Sequence, residues 1–159
     1  MATGRTTSKR LTFIVNDSGS TLREVPIFTI NGVGIVYDEV DPMALQDAMH
    51  GALSGHGNAP IDLTGPFSNL AAAAVGALSG SHTVLEPLNG LLTPLTVDVQ
   101  IGIQSAWSSG DPQFGITATA ANGYIVTSYT MNPADMTYAA SLRLFPGSAA
   151  PAWGTAAET

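Results

Sequence analysis

Cysteine is absent from the 159 residues, which excludes a disulfide framework, thiolate chemistry and any zinc site built on sulfur. Charge is scarce as well. Lys, Arg, Asp and Glu together make up 11% of the chain, against roughly 25% in ordinary soluble domains. A surface so poor in charge has to be built from Thr, Ser, Asn, Gln, Gly and Ala. That composition suits a subunit buried against neighbours, where charge is depleted; a solitary secreted β-protein with a neutral surface is the plainer alternative. Long apolar runs are missing too. The longest run of small apolar residues, Leu70 to Leu78, is about half of what a spanning helix requires, and Leu11 to Val15 is too short for a signal-peptide core. The sequence therefore predicts no membrane association and no export by the general secretory route.

The few charges are unevenly placed. Three of the five basic residues, Arg5, Lys9 and Arg10, fall in the first ten positions, where there is no acid. The remainder carries Arg23 and Arg143 against twelve carboxylates, a net of −10. Phosphate contacts need Lys and Arg, so such a body is a poor binder of nucleic acid or anionic membrane. It can still surround DNA without gripping it.

Catalytic signatures are also lacking. There is no HExxH, P-loop or GxGxxG string, and His50 and His56 stand six apart with no third ligand nearby. Ser54 and Ser79 each sit in a GALSG string, one position out of register with a nucleophile elbow. Asp38 and Glu39 are adjacent acids beside a helix start, where solvation or the helix dipole accounts for them. Trp107 and Trp153 suit interface anchors or a sugar-stacking platform. The reading is of a protein that is not an enzyme and has no cofactor and no metal.

What is present is β-structure. Gly123 to Phe145 (GYIVTSYTMNPADMTYAASLRLF) holds two runs rich in β-branched and aromatic residues, broken by Asn132-Pro133-Ala134-Asp135, a type I turn signal. This predicts a hairpin, with Tyr124, Val126, Ser128 and Thr130 sharing one face and Tyr138, Ala140, Leu142 and Leu144 sharing a face of the second strand. Leu11 to Val15 and Thr21 to Asn31 predict an earlier hairpin around Asp17-Ser18-Gly19-Ser20, its second strand at an edge or bulged at Pro26. Ile35 to Val40 reads as a short strand. Asp41-Pro42 is a helix start, followed by a stripe of Leu45, Ala48, Met49, Ala52 and Leu53 and stopped by Gly55 and Gly57. Strands follow at Pro60 to Phe67, Pro94 to Ile103 and Gln113 to Thr119, with a helical turn at His82 to Leu88. Asn69 to Gly80 reads equally as a loop or a short Ala-rich helix. Asp62 and Asp98 lie mid-strand on polar faces. The domain organisation is an arm over 1–10, a β-domain over 11–146 and a Pro/Gly/Ala-rich tail over 147–159.

The order and spacing of these pieces carry a resemblance. A strand after a polar arm, the Asp-Pro-led helix, PIDLTGPF at Pro60 to Phe67, HTVLEPL at His82 to Leu88 and the closing hairpin together resemble the major tail tube proteins of long-tailed, siphovirus-like bacteriophages over roughly residues 10–146. The resemblance implies a mainly β fold, two packed antiparallel sheets with one flanking α-helix, assembled into stacked hexameric rings that form a tail tube. It also implies a place in the virion after assembly in the host cytoplasm. The implied partners are further copies of the chain, tape measure, tail terminator and distal tail proteins, with genome DNA passing through unbound. On that reading Asp62 and Asp98 are candidates for an acidic lumen. Arg5, Lys9 and Arg10 are candidates for an arm that docks between rings on Asp38, Glu39 and Asp41. The alternatives are a capsid decoration or head-fibre protein, and a carbohydrate-binding β-sandwich using Trp107.

Overall fold

The computed structural model describes residues 10–40, 53–102 and 111–155. Their order is β1 (Arg10–Asn16), β2 (Leu22–Val25), β3 (Thr29–Asn31), β4 (Val36–Val40), β5 (Leu53–Asn58), β6 (Ile61–Pro66), α1 (Ser81–Leu85), β7 (Val97–Gly102), β8 (Pro112–Ile116), β9 (Tyr124–Asn132), β10 (Thr137–Leu144) and β11 (Ala152–Thr155). The strands form a five-stranded sheet, β11-β8-β7-β1-β2, a four-stranded sheet, β3-β6-β10-β9, and a two-stranded ribbon, β4-β5. All strand pairs are antiparallel.

The two larger sheets bury one shared core, as alternating strands with one apolar face must. Phe13, Val15, Val25, Val97, Val99 and Phe114 from the five-stranded sheet join Ile61, Leu63, Tyr124, Val126, Tyr138, Ala140 and Leu142 from the four-stranded one, and the short helix adds Val84 and Leu85. The expected mainly β fold of packed antiparallel sheets with one helix is thus observed. The helix differs from the one expected. It lies at Ser81–Leu85, overlapping the His82 to Leu88 segment read as a helical turn, whereas the Asp41-led helix falls outside the described residues. Leu53, placed on that helix's stripe, opens strand β5, and Gly55 and Gly57 lie inside the strand rather than ending a helix. A Cβ at Gly57 would stand 2.8 Å from the exposed Tyr37 ring, which would have to move aside.

Three other features sharpen the sequence reading. Thr21 to Asn31 is not one strand but two in different sheets, with Pro26 at the crossing between them. Its missing donor fits where a ladder ends. The tight turn before it is held by Asp17, whose Oδ1 accepts from the amides of Gly19 and Thr21, each at 2.9 Å. Residues 152–155, read as tail, form the edge strand β11 beside β8. Arg10, read as the last residue of the arm, begins β1 opposite Gly102.

The β9–β10 hairpin is built as predicted, with the Asn132 side chain accepting from the Ala134 amide at 3.0 Å. One residue breaks its alternation. The register steps from Ser128↔Ser141 to Val126↔Leu142, leaving Thr127 unmatched as a β-bulge. Tyr124 and Val126 therefore face the core, while beyond the bulge the half-buried residues are Tyr129 and Met131, and Ser128 and Thr130 are exposed. The expected single face over Tyr124, Val126, Ser128 and Thr130 is split in two.

Asn69–Gly80 is an irregular loop laid against the β2 edge. The Ser79 amide donates to the Glu24 carbonyl at 2.9 Å, the Gly76 amide donates to Glu24 Oε2 at 3.3 Å, and the buried Ser79 hydroxyl accepts from the Ala73 amide and donates to its carbonyl. That hydroxyl is a staple, not a nucleophile.

Candidate functional site

The outer face of the four-stranded sheet is built from aligned cross-strand pairs. Cross-strand register brings Thr29 opposite Thr64 and Asn31 opposite Asp62. It also brings Ala139 opposite Thr64, Ser141 opposite Asp62, Ser128 opposite Ser141 and Thr130 opposite Ala139. These side chains are five hydroxyls, one amide, one methyl and the Asp62 carboxylate. The hydroxyls of Thr29 and Thr64 pair across the strands. The strands carry two charges on this face, and they neutralise each other: Arg143 Nη1 donates to Asp62 Oδ1 at 3.0 Å. The Asp62 carboxyl is held below its ordinary range by the Ser141 hydroxyl and then by the Arg143 guanidinium. The face is therefore neutral and rich in hydroxyls.

Asp98 lies on the other sheet, in β7, and points from its outer face. Its neighbours there are not solvated. Thr12, Ile14 and Gln100, which share that face by register with Asp98, are buried. Asp98 itself is half-buried. Loss of solvent pushes its carboxyl above the ordinary range, offset in part by a hydrogen bond from Gln113. Asp62 and Asp98 thus project from opposite sides of the sandwich, so one channel wall cannot hold both.

The remaining candidates are dispersed. Asp38 and Glu39 are exposed on β4, beside a register shift in the ribbon. Asp41, Arg5, Lys9, His50 and Trp107 lie outside the described residues. His56 is exposed on β5, and Trp153, 53% exposed, leans on Phe114 with ring centroids 5.1 Å apart. Among the described residues no three His, Cys, Asp or Glu side chains come together as a metal would need, and no helix is long and apolar enough to cross a membrane.

Sequence reasoning placed Thr21 to Asn31 at a sheet edge, where β2 and β3 both lie, but did not find the edge at β9. Strand β9 is an outer strand of its sheet. Its first half is covered: Leu95 and Tyr124 exchange backbone hydrogen bonds at 2.8 and 3.0 Å, and the Gly90 amide donates to the Val126 carbonyl at 3.1 Å. The second half, from Thr127 to Asn132, has no such cover among the described residues. It holds no Lys and no Pro, the usual blocks to edge pairing.

These features define a class of fold, an all-antiparallel β-sandwich with one neutral face and a half-open edge. No protein-family model matches the chain, and no curated protein matches its sequence. Among solved structures it is similar to the cryo-EM structure of the anti-feeding prophage cap, a tube-terminating cap, with a TM-score of 0.61 and 14% identity over 98% of this chain and 95% of that one. The likeness is one of fold. It is a likeness to a cap that ends a prophage tube.

Proposed function

We propose that the chain is a structural subunit of a phage-type tail, forming rings coaxial with the tail tube through which DNA passes. The observation that carries this reading is the neutral hydroxyl face on a sheet whose long outer strand is half open. A copy can add its β3 edge to the free half of β9 in a neighbour, a head-to-tail contact that closes into a ring. If the ring is hexameric, four strands per copy give ~24 strands at ~4.8 Å spacing, and a ~45° tilt sets a backbone diameter of ~50 Å, wide enough for duplex DNA. The wall of such a channel is neutral rather than acidic. DNA slides past it because no Lys or Arg cluster is available to hold phosphate. The five-stranded sheet suits the outside, since its outer face is partly covered.

The whole-chain likeness to a tube-terminating cap favours a second reading, the ring that ends the tube. Negative-stain microscopy of the purified protein separates the two: a wall subunit gives stacked filaments, a terminator gives single rings. Met131→Lys adds an inward-pointing charge to the free half of β9, a device that natural edges use against pairing. It should abolish rings while circular dichroism stays unchanged. A wild-type protein that remains monomeric at high concentration, in low and high salt alike, refutes both readings.

A further inference from the structure

We infer that Asn31 is a site of spontaneous deamidation, its side-chain carbon attacked by the Gly32 backbone nitrogen, and that docking of β3 on a second copy closes the site. The second clause rests on the assembly reading above; the first does not.

The chain contains three Asn-Gly pairs, Asn31-Gly32, Asn89-Gly90 and Asn122-Gly123. Glycine has no Cβ to shield its nitrogen, so each pair is open to the same reaction once the chain around it is free. The backbone N–H loses its proton, the nitrogen bonds to the Asn side-chain carbon, and the carboxamide nitrogen leaves as ammonia. Water then opens the cyclic imide at either carbonyl. The product is Asp, or an isoaspartyl linkage whose main chain is longer by a methylene.

Folding separates the three pairs. The Gly123 amide donates to Ser148 Oγ at 3.1 Å while Asn122 Oδ1 accepts from the Ala149 amide at 2.8 Å, so nucleophile and electrophile are both tied. The Gly90 amide donates to the Val126 carbonyl at 3.1 Å. The Gly32 amide, by contrast, donates to none of the described residues, and the Asn31 carboxamide has no partner among them. Both residues are exposed. Asn31 also ends a short outer strand, β3, and such ends open at little cost in free energy. The glycine that makes this bond labile has a structural reason to be there: its φ is +82°, and a Cβ would meet the Pro60 carbonyl oxygen at 2.0 Å.

The product acts on what lies beside it. Asn31 stands opposite Asp62, whose charge Arg143 neutralises. A new carboxylate there sets two acids against one guanidinium and ends the neutrality of the face. The isoaspartyl methylene also puts the end of β3 out of step with any ladder. A strand added on the outer side of β3 engages its free backbone groups, and the open half of β9 is longer than β3, so a docked copy can cover the Asn31-Gly32 bond as well. Assembly therefore protects Asn31. A subunit left unassembled loses its docking edge with age.

The test ages full-length protein at mildly alkaline pH and follows each Asn-Gly pair by peptide mapping, which reads deamidation as a gain of about 1 Da. Met131→Lys protein, which should stay unassembled, and wild type diluted below its association range both supply the free subunit; near-UV circular dichroism establishes that they are folded. In both, Asn31 should convert about tenfold faster than Asn89 or Asn122, the factor that first breaking one hydrogen bond imposes. The rate should rise with pH, because the attacking amide must lose its proton. Asn31→Gln should leave the mass of that peptide unchanged. In wild-type rings conversion of Asn31 should slow about tenfold, as its amide gains a partner. Conversion at Asn89 or Asn122 that matches Asn31, or an Asn31 that survives while a peptide of residues 27–36 is converted, overturns the site. Equal rates in rings and in free subunits overturn the protection by docking, while the rings themselves leave the assembly reading standing. A wild type that stays monomeric removes that reading, and Asn31 leading the other two pairs then still supports the site.

Discussion

Tyr124→Phe removes a single oxygen from the centre of the sandwich, and its effect should depend on pH in a way that only a buried phenol produces. The Tyr124 side chain is fully buried, and its hydroxyl donates to the Ala59 carbonyl at 2.9 Å, tying β9 to the residues just before β6. The Phe variant fills the same space but leaves that buried carbonyl without its donor, a loss of about 1–3 kcal/mol at pH 7. For a chain of this size the thermal midpoint should fall by about 3–10 °C. Burial also raises the Tyr124 hydroxyl well above its ordinary pKa of 10.0. The unfolded chain therefore releases this proton first. The stability tied to the neutral phenol is complete below pH 10 and lost above it, at about 1.4 kcal/mol per pH unit. Phenylalanine has nothing to titrate, so the gap between wild type and variant should close at that slope above pH 10 and invert within about two units. Urea denaturation followed by far-UV circular dichroism at several pH values from 7 to 11.5 measures this directly. A gap that stays constant across that range would mean that the hydroxyl ionises as readily in the folded protein as in water, and the burial argument would fail.

Other substitutions report on separate parts of the structure. Leu63→Ala, at a fully buried position in β6, should cost about 2–5 kcal/mol in urea denaturation by leaving a cavity between the sheets. Gly115→Ala should cost more than about 2 kcal/mol, because the new Cβ overlaps the Val97 carbonyl and the β7–β8 ladder has to shift; a midpoint equal to wild type would refute that contact. Asp98→Asn should stabilise the isolated subunit slightly at pH 7, since it removes a desolvated charge whose raised pKa marks it as unfavourable when ionised. That benefit should vanish as the pH falls and the wild-type carboxyl is protonated. Asp62→Asn should change stability by less than about 1 kcal/mol, as for other exposed ion pairs. It also leaves Arg143 without its carboxylate on the neutral face; on the proposed tube reading, DNA passage should then slow most at low salt, where screening is weakest.

The fold was legible where period and turn chemistry agree. The β9–β10 hairpin, β6 and the inward face of β7 follow from strict alternation, and Asn132-Pro133 and Asp17 mark turns that form through their own side chains. Misreadings came where tertiary context decided. Leu53 fits a helical stripe as well as a strand, and only pairing with Val40 selects the strand. In Thr21 to Asn31 the apolar positions change parity between Leu22 and Val25 and again between Ile27 and Phe28, a pattern that a bulge at Pro26 and a division between two sheets share. At Asp98 the polar residues of β7 were read as solvent-facing because alternation separates two faces without saying whether the second is covered. The Asp62–Arg143 pair joins residues 81 apart in sequence, beyond the reach of any local pattern. The neutrality of that face therefore could not be read from the acidic composition.

The unmatched Thr127 sits at the boundary between the covered and the open halves of β9. An ordinary open edge lets an added strand slide by two residues with little penalty, because alternate positions present the same backbone pattern. Here sliding one way is stopped by the irregularity at Thr127, and sliding the other way runs out of strand at Asn132. A neighbour docked on this edge has essentially one offset available. In a closed cylinder of strands that offset, repeated at each junction, sets the shear and hence the tilt and bore. The width of any channel built from this chain would then be encoded in a single inserted threonine, and deleting Thr127 should change the diameter of the ring rather than merely its stability.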